Sequence, residues 1–353
     1  MDFEALAGYL PKLNASLHRS YLDERRRVHS SFRPYLDYLD EFTLRGGKRL
    51  RALLVLAGYH LATGRSPAPV LPAAVALEHF QSWMLIHDDI IDHAEERRGG
   101  PAFHQRVTGA FTERNGIGDR DAFGIGIGIT AGDLEEPFTL AALLSTPGSS
   151  RTRLAAVREY IQMTRSTAYG QLLDIENGSR PISEISEADV LTVHRLKSAV
   201  YTVAFPLRIG AALGSGRPNL LRSLETIGID LGIAFQLRDD VLGAGFDSES
   251  AGKSTNDLIE GKRTLLVVRA WDKGSAEDRA LLEQVVGNPR ATSQEVDRAR
   301  EIIRDSGSLA FSEDRIRRLY SRALRQIEKD PSLRPSGKGL LKEIGDRLVH
   351  RAS

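Results

Sequence analysis

Three aspartates stand close together in the string His87-Asp88-Asp89-Ile90-Ile91-Asp92. On a helix, Asp88 and Asp92 lie four positions apart and share a face. Two carboxylates so placed repel each other by roughly a few kcal/mol at intermediate dielectric. Met84, Leu85 and Ile86 precede them, and Ile90 and Ile91 are interleaved, so the acids interrupt an apolar helix. Uncompensated acids on such a face call for a cation. With oxygen ligands and no cysteine in the chain, a hard ion such as magnesium suits them. A second acidic pair follows about 150 residues later in Phe235-Gln236-Leu237-Arg238-Asp239-Asp240. One such cluster alone reads equally well as a solvated acidic face or a helix end. The pair predicts two carboxylate groups that face each other across a bundle and hold ions between them.

Metal ions held in that way bind a diphosphate, which also needs cationic and hydrogen-bonding groups from the protein. Arg97 and Arg98 follow the first cluster; Lys253, Lys262 and Arg263 follow the second. Upstream, Arg45-Gly46-Gly47-Lys48-Arg49-Leu50-Arg51 runs from two glycines into an apolar periodic segment. Gly47 lets backbone amides approach a phosphate at that helix N-terminus, with Lys48 and Arg51 on one side of the first turn. The plainer alternative is an ordinary basic first turn. Positive charge there opposes the helix dipole, which favours an anionic ligand.

Helices must position these groups. Apolar residues recur at three and four, as in Leu50, Leu53, Leu54 and Ala57, and again through Val75, Leu77, Phe80, Met84 and Ile86. Breakers fall at Gly64 to Pro69, Pro147 to Ser150, Asn177 to Pro181 and Gly214 to Pro218. Phe123 to Thr130 alternates like a strand, but its glycines and the helical stretch after it predict a helix that another helix approaches closely. Thr108 to Asp121 reads as a surface loop. Asp272 to Asn288 and Ser312 to Lys329 read as charged, solvated outer helices. The expectation is an all-α protein with a single domain over its 353 residues.

Composition excludes several classes. The 48 basic and 47 acidic residues leave a net charge of +1, which gives no global affinity for nucleic acid. The lack of cysteine removes disulfides, zinc thiolates and thiol nucleophiles, and suits the cytoplasm. The N-terminus carries no signal-peptide pattern. No apolar run approaches the roughly 18 residues that a membrane span needs.

The strings GGKRLR, LIHDDIID, RRGGPAFH, AGDL, QLLDIE, FQLRDDVLG and GKSTNDLIEGKRT occur in the order and spacing of the trans-isoprenyl diphosphate synthases, the polyprenyl synthetase family, which the chain resembles from about residue 44 to 268. The resemblance implies an all-α bundle around a deep cavity, usually a homodimer. It implies a prenyltransferase that joins an allylic diphosphate to isopentenyl diphosphate, with three magnesium ions per active site. By resemblance, Asp88, Asp89 and Asp92 form the first metal motif, and Asp239 and Asp240 the second. Arg97, Lys197 and Lys253 match the groups that hold the allylic diphosphate. Gly47, Lys48, Arg51 and Arg98 match those that hold isopentenyl diphosphate. Gln81, Gln171, Gln236, Asp257 and Lys262 match the surrounding polar shell. The chain departs from the pattern at Gly243, where many members have a third aspartate, although Asp247 follows. It departs also at Gln81 for histidine, Ser198 for threonine and Ala52 for proline.

The implied reaction is ionisation, condensation and elimination. Arg97, Lys197, Lys253 and magnesium neutralise the leaving diphosphate. The hydroxyl of Ser198 and the amide oxygen of Gln236 steady the allylic cation, and the released diphosphate takes the proton. His87, His93, His104 and His194 read as structural groups. Trp83 and Met84, five and four positions before Asp88, match the floor of the product tunnel in the family. A tryptophan there predicts a product of farnesyl or geranylgeranyl length. A class I terpene cyclase would need a second metal motif whose spacing Asn256 to Glu260 lacks. A non-catalytic partner subunit would have lost one aspartate cluster, and a di-iron bundle would need Glu-x-x-His pairs.

Overall fold

The computed structural model describes residues 1–246 and 256–350. The described chain is helical apart from one two-residue hairpin, and it forms two compact units. The first comprises Met1–Arg158 and Pro206–Arg217. It holds α1 (Phe3–Ala7), α2 (Leu10–Arg27), α3 (Arg33–Leu44), α4 (Leu50–Thr63), α5 (Leu71–Ile91), α6 (Phe103–Glu113), α7 (Arg120–Ser145) and the start of α8 (Ser150–Ser179). The second comprises Glu159–Phe205 and Pro218–Ser353. It holds the rest of α8, α9 (Glu187–Val193) and a π-helix (His194–Ala204). α10 (Phe205–Leu213) follows and returns to the first unit. The second unit continues with α11 (Pro218–Gly243), α12 (Asn256–Ile259), α13 (Leu265–Lys273), α14 (Ala276–Val285), α15 (Ser293–Asp305), α16 (Ser308–Lys329) and α17 (Pro335–Val349).

In the first unit, α5 is buried on nearly every side from Ala73 to Ser82. Small side chains make that possible, since a helix enclosed all round must let its neighbours close in. α4 and α10 touch backbone to backbone: a Cβ on Gly58 would collide with the Leu207 carbonyl, and one on Gly210 with the Val55 carbonyl. On α7, Gly124, Gly128 and Gly132 form a four-residue row under Thr108, Ile90 and His87. The alternating FGIGIGIT segment is therefore helical, as expected, with the glycine row turned inward and Ile125 and Ile129 outward. The expected loop from Thr108 to Asp121 is shorter than the sequence suggested. α6 runs on to Glu113, because Val107 and Thr108 are buried against α7.

A buried polar network joins α2, α3, α5 and α7. The Tyr21 hydroxyl donates to Glu135 Oε1 at 2.7 Å and meets Thr43 Oγ1 at 2.8 Å. His79 Nδ1 lies 2.7 Å from Glu135 Oε2, and Thr43 Oγ1 lies 2.8 Å from Ser82 Oγ. Burial and the Glu135 charge push the Tyr21 phenol well up. A carboxylate this deep is tolerable only because its oxygens are satisfied.

In the second unit, the π-helix packs on α11 through Gly228 against Ala204 and Gly232 against Ala199. Arg238 on α11 grips Glu313 of α16 at 2.5 and 2.8 Å and donates to the Val349 carbonyl at the end of α17. Ser186, Ser275 and Thr292 start α9, α14 and α15 with capping boxes. α14 and α16 match the predicted charged helices in type, though α14 is shorter than Asp272 to Asn288.

Gly210→Ala should cost about 3 kcal/mol, because the new methyl meets a carbonyl on a helix that cannot retreat. Gly109→Ala in α6, with nothing within 4 Å of the added carbon, should stabilise by about 0.5–1 kcal/mol. Urea unfolding of both variants checks this, and equal shifts would refute the close-approach account.

Candidate functional site

The first aspartate motif ends α5 in the first unit. The helix stops in a Schellman arrangement: His93 adopts a left-handed φ of 53°, Ala94 N donates to the Asp89 carbonyl at 2.8 Å, and His93 N points to the Ile90 carbonyl. His93 is thus a backbone cap. The chain then forms a hairpin of β1 (Glu96–Arg97) and β2 (Gly100–Pro101), with Arg98 at φ 56° and Gly99 at φ 73° in its two-residue turn. Positive φ at both central residues is the geometry that matches strand twist in such turns. The hairpin carries Arg97 back to Asp89, where Nε donates to Oδ1 at 2.7 Å and Nη2 reaches the same oxygen.

The three aspartates consequently differ. Asp89 is fully buried against Arg97, Asp88 is half-buried and Asp92 is exposed. Burial raises the Asp89 pKa despite the hydrogen bond and charge of Arg97. For Arg97, burial alone would lower the pKa, but Asp89, Asp88 and Asp92 outweigh it.

Arginines crowd beside this motif. Burial lowers the pKa of Arg98, and so do the neighbouring charges of Arg49, Arg51 and Arg97, against the opposing charge of Glu78. Its guanidinium lies over Gly47, where a Cβ would stand 3.1 Å from Cζ. Gly46 and Gly47 have φ of 60° and 90°, and Arg49, which caps α4, has φ 50°. That left-handed run brings the GGKR turn up to the hairpin. Arg45 braces the pair by donating to the Arg97 and Pro101 carbonyls at 3.1 and 2.9 Å, and a side chain at Gly100 would collide with it. Arg49 is buried in an ion pair with Glu78 at 2.9 Å. Lys48 is exposed and Arg51 half-buried. Gln81 is buried on α5 with its Oε1 lacking a hydrogen-bond partner. Trp83 and Met84 are half-buried one turn before Asp88, with the Trp83 ring edge-on to Phe80 and His87. His87 lies 3.2 Å from the Ile129 carbonyl over Gly132, a packing position.

The second unit carries the other motif. α11 presents Asp239 and Asp240. Asp240 is buried, with Gln236 Nε2 donating to it at 2.9 Å and His194 Nε2 at 3.1 Å from its other oxygen. The amide nitrogen of Gln236 is thereby committed to the carboxylate. Lys197 and Ser198 lie in the π-helix, a form that recurs at functional sites because its extra residue per turn displaces side chains from α-helical register. Lys197 Nζ bonds Asp174 at 2.6 Å, and Gly170 admits the Lys197 backbone. Gln171 lies one residue further along α8. Burial and the charges of Asp240 and Glu260 raise the Asp257 pKa, opposed by Lys262. Burial would lower Lys262, but Asp257 at 2.7 Å and Glu260 at 2.8 Å push it up. A side chain on Gly243 would collide with the Asp257 carboxylate, which explains glycine where an aspartate is common in the family pattern. Lys253 and Asp247 lie outside the described residues.

Within the first unit, the structure thus brings together Asp88, Asp89, Asp92, Arg97, Arg98, Gly47 and Arg51. Within the second, it gathers Asp240, Gln236, Asp257 and Lys262 near Asp239. No three acidic or histidine side chains among the described residues converge as a ready-made metal cage. The donors nonetheless fit a hard cation, being carboxylate oxygens on helices that supply no sulfur. Sequence reasoning missed Arg45, Glu78, Asp174 and the close approach of His194 to Asp240. A lone acid in the apolar run of α5 was the available signal for Glu78. Nothing in the sequence pointed to His194.

Arg97→Leu should leave Asp89 buried without its main partner and destabilise the protein by about 3 kcal/mol near neutral pH. The Asp89 pKa in the folded variant then rises further above its unfolded value, so the deficit must shrink as pH falls through that range. Urea midpoints near neutral pH and at about pH 5 check the sign. A deficit independent of pH would sink it.

Three comparisons bear on this arrangement. Residues 33–303 match the family model described as polyprenyl synthetase. A geranylfarnesyl diphosphate synthase from Aeropyrum pernix is 31% identical over 87% of this chain and 91% of its own length. A geranylgeranyl diphosphate synthase from Methanosarcina mazei is 34% identical over 75% and 74%. The fold resembles the crystal structure of a geranylgeranyl pyrophosphate synthase from Corynebacterium glutamicum complexed with isoprenyl diphosphate and magnesium, with a TM-score of 0.91, 31% identity and full coverage of both chains. A match of this extent in sequence and fold together shows that the chain belongs to the polyprenyl synthetase family.

Proposed function

We propose that this protein is a magnesium-dependent prenyltransferase that condenses an allylic diphosphate with isopentenyl diphosphate to give a linear prenyl diphosphate. One observation carries the reading. Asp88 and Asp92 lie beside Arg97, and the buried guanidinium of Arg98 lies over Gly47 within the electrostatic reach of Arg49, Arg51 and Arg97. Carboxylates call for a cation and crowded guanidiniums for an anion, and a metal-bound diphosphate satisfies both.

Magnesium, when bound, supplies charge neutralisation for the leaving diphosphate. Asp88, Asp92 and Asp239 are its proposed ligands. Asp89 instead orients Arg97, and Asp240 is oriented by His194 and Gln236. Asp257, seated where a side chain on Gly243 would be, takes the place of the missing third aspartate of the second motif. Arg97, Lys197 and Lys253 bind the allylic diphosphate, and Lys262 supports that group. Gly47, Lys48, Arg51, Gln81 and Arg98 bind isopentenyl diphosphate. The Ser198 hydroxyl and the Gln236 amide oxygen face the developing cation. Trp83 and Met84 set product length at farnesyl or geranylgeranyl diphosphate. Such substrates and the absence of cysteine suit the cytoplasm. A homodimer is the proposed assembly: Phe123, Ile125, Ile129, Leu134 and Leu144 on α7 are large, apolar and exposed, and a second copy would cover them.

Elongation of dimethylallyl, geranyl or farnesyl diphosphate by the purified chain tests the reaction. Turnover should need magnesium and stop with a chelator, and Asp88→Asn should lower it by about 100- to 1000-fold. Failure with every primer would refute the catalytic reading. Trp83→Ala should shift products to longer chains in the same assay; an unchanged product would free Trp83 of the floor role. Ile125→Asp with Ile129→Asp should convert dimer to monomer in light scattering, and an unchanged mass would exclude α7 as the interface.

A further inference from the structure

α16 carries a second concentration of positive charge, with no acid motif of the reaction on the same helix. Arg315, Arg318, Arg322, Arg325 and Lys329 recur at alternating steps of three and four. They therefore form one stripe about 21 Å long at 1.5 Å per residue. Arg317, Arg318, Arg322, Arg325 and Lys329 are exposed, and Arg315 is half-buried. The arginines line a groove of about 510 Å³ with Ser321 and Leu319 between them. The opposite face, Ser312, Ile316, Ala323 and Ile327, is buried, so packing fixes the direction of the stripe.

Neutralisation along the stripe is incomplete. Arg318 bonds Asp314 at 2.6 Å, and Arg322 donates to both carboxylate oxygens of Asp230 through Nε and Nη2. Among the described residues, Arg315 and Arg325 have no acidic partner. Like charges three and four apart oppose each other and weaken a helix unless an anion lies against them. The chain has a net charge of only +1, so the stripe is a local feature and not the reflection of a basic protein.

We propose that this stripe docks the protein reversibly on an anionic phospholipid surface, with lipid phosphates held by the arginine forks. A guanidinium pairs with phosphate in a planar, two-pronged geometry. A straight row, exposed from Arg318 to Lys329, matches a flat array of headgroups, and the buried apolar face makes this an electrostatic contact without insertion. The choice of lipid over another polyanion rests on the proposed reaction, whose product joins a diphosphate head to a long hydrocarbon tail that partitions into a bilayer.

Sedimentation of the full-length chain with phosphatidylglycerol vesicles and with phosphatidylcholine vesicles tests the proposal. Binding should be confined to the anionic vesicles and fall steeply with salt. Each basic residue near such a surface multiplies the binding constant by about five, so Arg315→Gln with Arg325→Gln should weaken binding about 25-fold. Neither residue belongs to the proposed catalytic machinery, so turnover in solution should be unchanged, and circular dichroism confirms that the variant is folded. Arg318→Gln with Lys329→Gln serves as a second pair with the same expected loss. Absence of binding to anionic vesicles, equal binding to both compositions, or binding unaffected by both pairs would overturn the proposal. Tighter binding to duplex DNA with the same dependence on the arginines would overturn it too. Loss of turnover in the parent would refute the catalytic reading and leave the vesicle result standing separately.

Discussion

Helix α5 must be core and site at once, and the first unit is built around that conflict. Its first half is enclosed by neighbours, while its last turn carries three carboxylates. An apolar enclosure penalises charge, so each acid needs its own solution. Asp89 is buried and paired with Arg97, Glu78 is buried and paired with Arg49, and Asp92 reaches solvent at the cap. The Schellman end and the type of hairpin that follows are what return Arg97 to Asp89 within eight residues. A different cap would leave a buried charge.

Glycine spacing supplies the other condition. Helices that carry polar groups inward need short interhelical distances to satisfy them. The glycine row of α7 lets α5 and α6 close in, and Glu135 of the same helix then reaches Tyr21 and His79. In the second unit, Gly228 and Gly232 do the same for the π-helix, which presents Lys197, Ser198 and His194. In both units a close backbone contact precedes a positioned polar side chain.

Conserving the charge balance around the first motif has a consequence for ligand choice. Five arginines, Arg45, Arg49, Arg51, Arg97 and Arg98, gather near Gly47 and the hairpin turn, and Glu41, Glu78 and Asp89 pair with Arg45, Arg49 and Arg97 respectively. A neutral ligand would leave that imbalance in place. An excess of guanidinium charge at one place favours an anion there.

The sequence by itself determined the fold class, since 3.6-residue periodicity and well-placed breakers leave little room for strands. It determined also which residue types gather at each motif, because a carboxylate pair four apart and a GGKR turn carry their chemistry in local spacing. The helical reading of FGIGIGIT held because glycine at every fourth position has a packing meaning that alternation lacks. Tertiary structure alone decided the different burial of Asp88, Asp89 and Asp92, which look alike in the string. It alone placed Arg97 on Asp89, His194 on Asp240 and Asp257 beside Gly243, contacts between residues 8 to 46 positions apart. Periodicity reports which face a residue occupies. It does not report the partner that another element brings to that face, nor the extra residue per turn that makes a π-helix around Lys197.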